Sequence, residues 1–350
     1  MDRSEPSLTY RISASYSAKN AQLDLNRNNF NHDENINTKP TLEDANGRLT
    51  KQNRPRSGQD SFFVSEVGST GSTAFGVVDG VGGWVTSGVD PADFAHSLCD
   101  YMAISATGYV EGQSKKSIRP RDLMQSGYDK VMNDNTINAG GSTACIGVAH
   151  PNGALEVANL GDSGFVHIGR GKISFTSDAQ THAFNTPFQL SKIPRRMRAQ
   201  MAMFGTESAF ADNPKDSKVT MHDLSHGDIL VLATDGVWDN LSPQDTLEIV
   251  SRYMIDNGAW TDSGAGITVS KKLGVATEQA SGRQTLQSLI ARAVTKEAKR
   301  AGLNARRDGP FAREVRRYYP AEKWHGGKPD DICVVVVIAV NPLESSTAKL

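Results

Sequence analysis

The sequence predicts an α+β fold, a four-layer α/β/β/α sandwich of two antiparallel sheets flanked by helices. Short β-rich runs separated by turn residues recur along most of the chain, and amphipathic segments with legible helix starts are grouped between them instead of alternating strand by strand. The size is right for such a fold: 350 residues with 38% hydrophobic content can bury a large core, and no internal repeat divides it.

In chain order, residues 1–7 are expected to be disordered. Leu8, Tyr10, Ile12, Ala14 and Tyr16 then alternate with polar neighbours, the period-two pattern of a half-buried strand. Between Asn20 and Asn53 nine asparagines and few large apolar residues bury too little surface to offset the entropy of ordering, so 20–53 is expected to be a loop or disordered insertion. SFFVSEV (61–67), TAFGVVD (73–79), STACIGVAH (142–150), ALEVANL (154–160), SGFVHIG (163–169) and KISFTS (172–177) follow as strands. Pro-Asn-Gly at 151–153 and Gly-Arg-Gly at 169–171 have hairpin-turn chemistry, which predicts one antiparallel meander over 142–177. ILVLAT (229–234) and ICVVVVIAV (332–340) are continuously apolar and so are central strands covered on both faces.

Four helices are legible. Asp90-Pro91 with Asp93 is a capped start leading to Ala95, Leu98, Cys99 and Met102 on one face, and Ser242-Pro243 with Asp245 starts a second carrying Leu247, Val250 and Met254. Arg121 to Asn133 and Gln284 to Arg300 show the same helical spacing of apolar residues. A single domain spanning 8–342 with a tail at 343–350 accounts for the whole pattern.

Composition excludes several function classes. Lys+Arg 38 against Asp+Glu 39 leaves no net field to recruit nucleic acid or an anionic membrane. The longest apolar run is strand-length, far short of the ~20 residues of a membrane-spanning helix. Cys99, Cys145 and Cys333 sit singly in apolar segments, without the pairing of a disulfide framework or the spacing of a zinc site, and read as reduced core residues. The N-terminal residues carry acids and no charged-then-apolar pattern, so no presequence is visible.

The chemistry is carried by aspartates at strand ends. AFGVVDG ends at Asp79-Gly80, ILVLATDG at Asp235-Gly236, and Asp330-Asp331 precede the strand at 332. One Asp-Gly after a strand is an ordinary turn signal, but three acidic strand ends meeting at one rim of a sandwich make a rigid anionic cage. Carboxylates a few ångströms apart take up protons or bind cations, and all-oxygen ligands select Mg²⁺, Mn²⁺ or Ca²⁺. Two such ions about 3.5–4 Å apart suit in-line hydrolysis of a phosphate ester.

In this order GQDSFF (58–63), VVDGVGGW (77–84), GGSTA (140–144), ANLGDS (158–163), ATDGVWDN (233–240) and PDDICVVVV (329–337) resemble the motifs of the metal-dependent protein phosphatases of type 2C. DGVGGW together with FNTPFQL (184–190) is similar to the mitochondrial branch of that family. The resemblance implies a protein serine/threonine phosphatase in which a water bridging two Mg²⁺ or Mn²⁺ ions attacks phosphoserine or phosphothreonine. It implies Asp79 as the aspartate shared by both ions, the Gly80 carbonyl and Gln59 on one ion, and Asp235 and Asp330 on the other. Asp331, one residue from Asp330, is implied as its supporting neighbour, with a one-residue slip exchanging the two. Asp60 is implied beside the site, and Asp162 and Asp239 at a weaker third ion, although Asp162 also reads as a turn. Ser142 and Thr143 lack triad partners and read as strand residues packing behind the site.

The chain departs from the family pattern at three places. Gln59 stands where many members have a carboxylate ligand, Val81 where many have a histidine able to protonate the leaving oxygen, and Arg54 and Arg56 flank the register of the phosphate-binding arginine, so that either is a candidate for the substrate phosphate and both equally read as solvated loop charges. Residues 179–216 correspond to a flap, whose Lys192, Arg195, Arg196 and Arg198 form either a solvated face or a basic lining of the cleft. The implied partner is a phosphoprotein substrate bound by a monomer; the implied location is the mitochondrial matrix, or the cytoplasm if the branch assignment fails. Gln59 and Val81 also admit a degenerate phosphatase that only binds phosphoproteins, and a Ca²⁺-dependent structural protein is the third alternative.

Overall fold

The computed structural model of the chain describes residues 7–32, 44, 46–110, 117–204, 212–278 and 284–345. At its centre lies the strand Ile332–Val340, buried along its whole length. Because successive side chains of a strand point to opposite faces, its nine residues serve two cores. Cys333, Val335, Val337 and Ala339 join Ile12, Phe75, Val77 and Phe165 in the space between two sheets. Val334, Val336 and Ile338 pack instead with Val250, Met254, Ile290 and Val294 of the helices Pro243–Asp256 and Leu286–Gly302. Coverage on both faces is why this run is apolar without alternation.

The larger sheet runs in the order Asn29–Asn31, Thr9–Ser17, Ile332–Val340, Ile229–Ala233, Gly164–Gly169, Lys172–Thr176. The second runs Lys218–Asp223, Ala154–Leu160, Ala144–Ala149, Thr73–Val78, Ser61–Glu66. All pairs in both sheets are antiparallel. The outer face of the second sheet carries the helices Pro91–Thr107 and Pro120–Asn133, where Phe94, Leu98 and Leu123 pack on Phe63, Ile146 and Leu160. Four layers result, as the sequence predicts.

Both capped helix starts are present. The Asp90 side chain accepts from the Ala92 amide at 3.1 Å, and Ser242 with Asp245 forms a reciprocal capping box. Each cap satisfies an amide that the first turn leaves without a partner, worth about 1 kcal/mol.

The meander expected over 142–177 is instead two hairpins in opposite sheets. Ala144–Ala149 pairs with Ala154–Leu160 in the second sheet, whereas Gly164–Gly169 pairs with Lys172–Thr176 in the larger one. The turns are as expected, with Gly153 at φ 90°, Arg170 at 49° and Gly171 at 74°. Between the hairpins the chain changes sheet at residues 161–163, where Gly161 at φ 99° permits the reversal. Turn chemistry dictates the pairing inside a hairpin; interlayer burial dictates which sheet takes it.

The segment 20–53 also differs in its described part. Asn29–Asn31 pairs with the edge of Thr9–Ser17, and Arg48 is buried in ion pairs with Asp44 at 2.6 Å and Asp134 at 3.0 Å. Residues 1–6, 33–43, 45 and 346–350, which include most of the expected disordered N-terminus and tail, lie outside the described residues. A helix at Pro310–Tyr318 forms where the sequence reading placed none. Among the described residues no helix is long and apolar enough to cross a membrane, and the three cysteines are buried and free.

Candidate active site

Antiparallel register brings the acidic strand ends to one rim. Ser61 lies opposite Val78, so Asp60, just before one strand, and Asp79, just after its neighbour, leave the second sheet side by side. In the larger sheet Ala233 is opposite both Val334 and Gly164, which puts Asp235, Asp330 and Asp162 at the same end.

Hydrogen bonds between the sheets fix these ends. The buried Asp60 carboxylate accepts from Thr234 Oγ1 at 2.7 Å, and the same hydroxyl oxygen accepts from the Cys333 amide at 3.0 Å. Thr234 therefore ties the strand before Asp235 to both partners. Asp79 is held by its backbone: its amide donates to Thr143 Oγ1 at 3.3 Å and its carbonyl accepts from the Thr143 amide at 2.9 Å. Thr143 Oγ1 in turn bonds Ser163 Oγ at 2.8 Å, next to Asp162. Gly80 is required by close approach, since a Cβ there would lie 2.8 Å from the Gln59 carbonyl oxygen and 3.0 Å from that of Pro91.

The rim is strongly anionic. Burial, then the charge of Asp60, Asp235, Asp162 and Asp330, pushes Asp79 well above the usual carboxylate range. Asp60 rises through burial and Asp331, Asp239 through burial and Asp235, and Asp330 through burial and Asp235. Asp162 is pushed up to about 7 by burial and then Asp235. Asp235 goes the other way: burial would raise it, but Lys328 and hydrogen bonds from neighbouring groups, among them the side chains of Asp79 and Asp239, leave it below its ordinary value.

Lys328 is the functional-site residue that the sequence reading missed. Its Nζ lies 2.8 Å from Asp235 Oδ2, 2.6 Å from Asp239 Oδ2 and 3.4 Å from Asp330 Oδ2. Burial alone would lower this ammonium, but the three carboxylates outweigh it and hold it well above the usual lysine range. The signal available in the sequence was a cation two residues before Asp330, in GGKPDD.

The other expected residues separate into two groups. Asp60, Asp79, Asp162, Asp235, Asp239 and Asp330 face one another across the rim. Asp331 turns away to backbone amides, accepting from Gln59 at 2.8 Å and Lys19 at 2.5 Å. The half-buried Gln59 lies against the loop after Asp79, its backbone carbonyl accepting from the Gly80 amide at 3.2 Å. Arg54 is engaged by Asp93 at 2.7 Å, whereas Arg56 is exposed. In the flap-like segment Lys192 donates to the carbonyls of Val131 and Asp134, and Arg195, Arg196 and Arg198 are exposed on the helix Arg195–Phe204.

These donors suit a hard divalent cation. They are all oxygens, burial together with their mutual repulsion raises five of them, and Asp162 Oδ1 is buried without a hydrogen-bond partner. Among the described residues no three acidic, histidine or cysteine side chains close a finished cage around one point. The ammonium of Lys328 stands between the carboxylates of Asp235 and Asp239.

No family model matches the sequence. The chain is 33% identical over 297 residues to "Protein phosphatase PTC7 homolog fig" of Drosophila ananassae, covering 83% of this chain and 77% of that protein. It is 31% identical over 291 residues to "Protein phosphatase 2C homolog 7, mitochondrial" of Saccharomyces cerevisiae, covering 83% and 76%. The solved structure of the photosystem II phosphatase PBCP superposes with a TM-score of 0.58 at 24% identity, covering 80% of this chain and 91% of that one, and shows the same fold. With relatives this similar over most of its length, the chain belongs to the PTC7 group of the protein phosphatase 2C family and is a protein phosphatase.

Proposed function

We propose that the protein hydrolyses phosphoserine and phosphothreonine in protein substrates, acting as a monomer with two Mg²⁺ or Mn²⁺ ions. The observation that carries this reading is the group of buried, mutually repelling carboxylates at one rim of the sandwich. Asp79 would be shared by both ions, with Asp235 and Asp330 on one side and the Gly80 carbonyl and Gln59 on the other. When bound, such a pair of ions activates water for direct attack at phosphorus and stabilises the charge on the phosphoryl oxygens.

The protein's own residues do the rest. Thr234, bonded to Asp60 across the sheets and to Cys333 within its own sheet, holds the two sheets at a set separation, so the carboxylates keep their spacing. Asp331 locks the loop of Asp330 to Gln59. Because Arg54 is engaged by Asp93, the exposed Arg56 is assigned to the substrate phosphate, which a guanidinium can grip through two parallel bonds. With valine at 81 no side-chain acid stands there, and the leaving oxygen takes its proton from water. The yeast relative is named as mitochondrial, which supports placing this chain in the mitochondrion, and we assign it to the matrix on the branch resemblance.

The test is hydrolysis of a small aryl phosphate by the parent and by Asp79→Asn, each with added Mn²⁺ and after exhaustive chelation. The reading expects turnover only with metal, and a loss of several orders of magnitude in the variant with its fold retained. Metal-independent activity, or a variant within about tenfold of the parent, would overturn it. Gln59 and Val81 favour a second reading, a phosphoprotein-binding member without turnover, and an inactive parent that binds phosphopeptide would establish that instead.

A further inference from the structure

The ammonium of Lys328 is a built feature of the rim. Its three N–H groups donate to Asp235 Oδ2 at 2.8 Å, Asp239 Oδ2 at 2.6 Å and Asn185 Oδ1 at 3.2 Å, and Asp330 Oδ2 lies 3.4 Å away. Phe311 closes the site on one side, its ring centroid 4.9 Å from Nζ. The backbone is clamped too. Asn240 Oδ1 accepts from the Lys328 amide at 2.9 Å, and Asn240 Nδ2 donates to the Lys328 carbonyl at 2.8 Å and to the Gly236 carbonyl at 2.9 Å. Lysine and aspartates are thus fixed to the same turn, Asp235–Trp238.

This cation lies where the resemblance places the third and weakest divalent ion, on Asp239 with Asp162. Asp162 contributes charge to the same group, and its Oδ1 is buried without a partner. We infer that Lys328 is an internal substitute for that ion: its ammonium takes the Asp235–Asp239 face, limits the protein to two divalent ions, and leaves a new divalent site when it is removed. The inference rests on the two-ion reading above. The physical reason is exclusion: a third divalent ion coordinated at about 2.0–2.1 Å by Asp239 Oδ2, the oxygen nearest Nζ, cannot share its space with the ammonium. The tethered ammonium also incurs no loss of translational freedom on filling the site.

The test is calorimetric titration of Mn²⁺ into the full chain, read as stoichiometry and independent of turnover. The parent should bind two ions and Lys328→Met three, the added one tenfold or more tighter than any further binding by the parent. Lys328→Arg, which keeps the charge, should stay at two, and Asp239→Asn in the Lys328→Met background should return it to two. Three ions in the parent would overturn the inference while sustaining the metal-dependent reading, and this result needs no variant to fold. No binding by the parent would sink both. A folded Lys328→Met, verified by its melting transition, that still binds two ions would overturn the inference alone.

Discussion

Gly236 offers a sharp test of how the rim is assembled, because local and tertiary effects of one methyl group oppose each other there. It lies inside the short helix Asp235–Trp238, where alanine is intrinsically favoured over glycine by about 1 kcal/mol. Against this, a Cβ at 236 would lie 3.0 Å from the carbonyl carbon of Asp331, closer still to its oxygen, and 3.1 Å from Ile332 Cγ1. The obstacle is backbone, and its own loop is anchored by Asp331 to the amides of Gln59 and Lys19. One of the two segments must move by about 1 Å to restore contact distance. That shift separates Asp235 from Asp330, the pair assigned to one ion. A misplacement of ~1 Å costs on the order of 10²-fold in rate, and overpacking costs about 1–3 kcal/mol of stability. Gly236→Ala should therefore lower turnover roughly a hundredfold, raise the Mn²⁺ needed for half activation, and lower the melting temperature. The assay is aryl phosphate hydrolysis across a Mn²⁺ series beside thermal melting at fixed metal. A variant within about threefold of parent turnover and equal or higher in melting temperature would show that the 235–236 turn and the 330–331 loop are not held against each other.

Two further predictions address single groups. Gln59 is a neutral amide beside the Gly80 loop, and a unit charge ~4 Å from an ion is worth roughly 4 kcal/mol at an effective dielectric near 20 before desolvation reduces it; Gln59→Glu should shift the Mn²⁺ activation midpoint down by tenfold or more, and an unchanged midpoint would remove Gln59 from the site. His96 is buried against Ser61, and burial followed by the charge of Arg54 pushes it down to about 4. Its folded value lies below the unfolded one of 6.5, so its contribution to stability is complete above pH 6.5 and is lost as pH falls toward 4, with a limiting slope of about 1.4 kcal/mol per pH unit. The difference in urea midpoint between the parent and His96→Gln should shift toward the variant across that window, and parallel pH curves would refute the assignment.

Local signals were enough to read the strands, both capped helix starts and the acidic strand ends. Alternation at Leu8 to Tyr16, the Asp90 and Ser242 caps and the turn at Pro-Asn-Gly each act over a few residues, so they are legible from those residues alone. The order of six motifs also carried the family. What needed the tertiary structure were relations between segments far apart in the chain. The second hairpin of 142–177 joins the larger sheet because Phe165 and Ile168 find cores there, on either face, that no turn residue encodes. Arg54 faces Asp93, and Asn29–Asn31 becomes a strand because the edge of Thr9–Ser17 offers it unpaired backbone groups. In the sequence Lys328 is one basic residue among 38, and it becomes part of the site only when the antiparallel register carries Asp235 and Asp239, about ninety residues earlier in the chain, to the same rim. The sequence by itself determined which residues could bear charge at strand ends; folding decided which charges meet, because Coulomb energy depends on distance in space and sequence shows only distance along the chain.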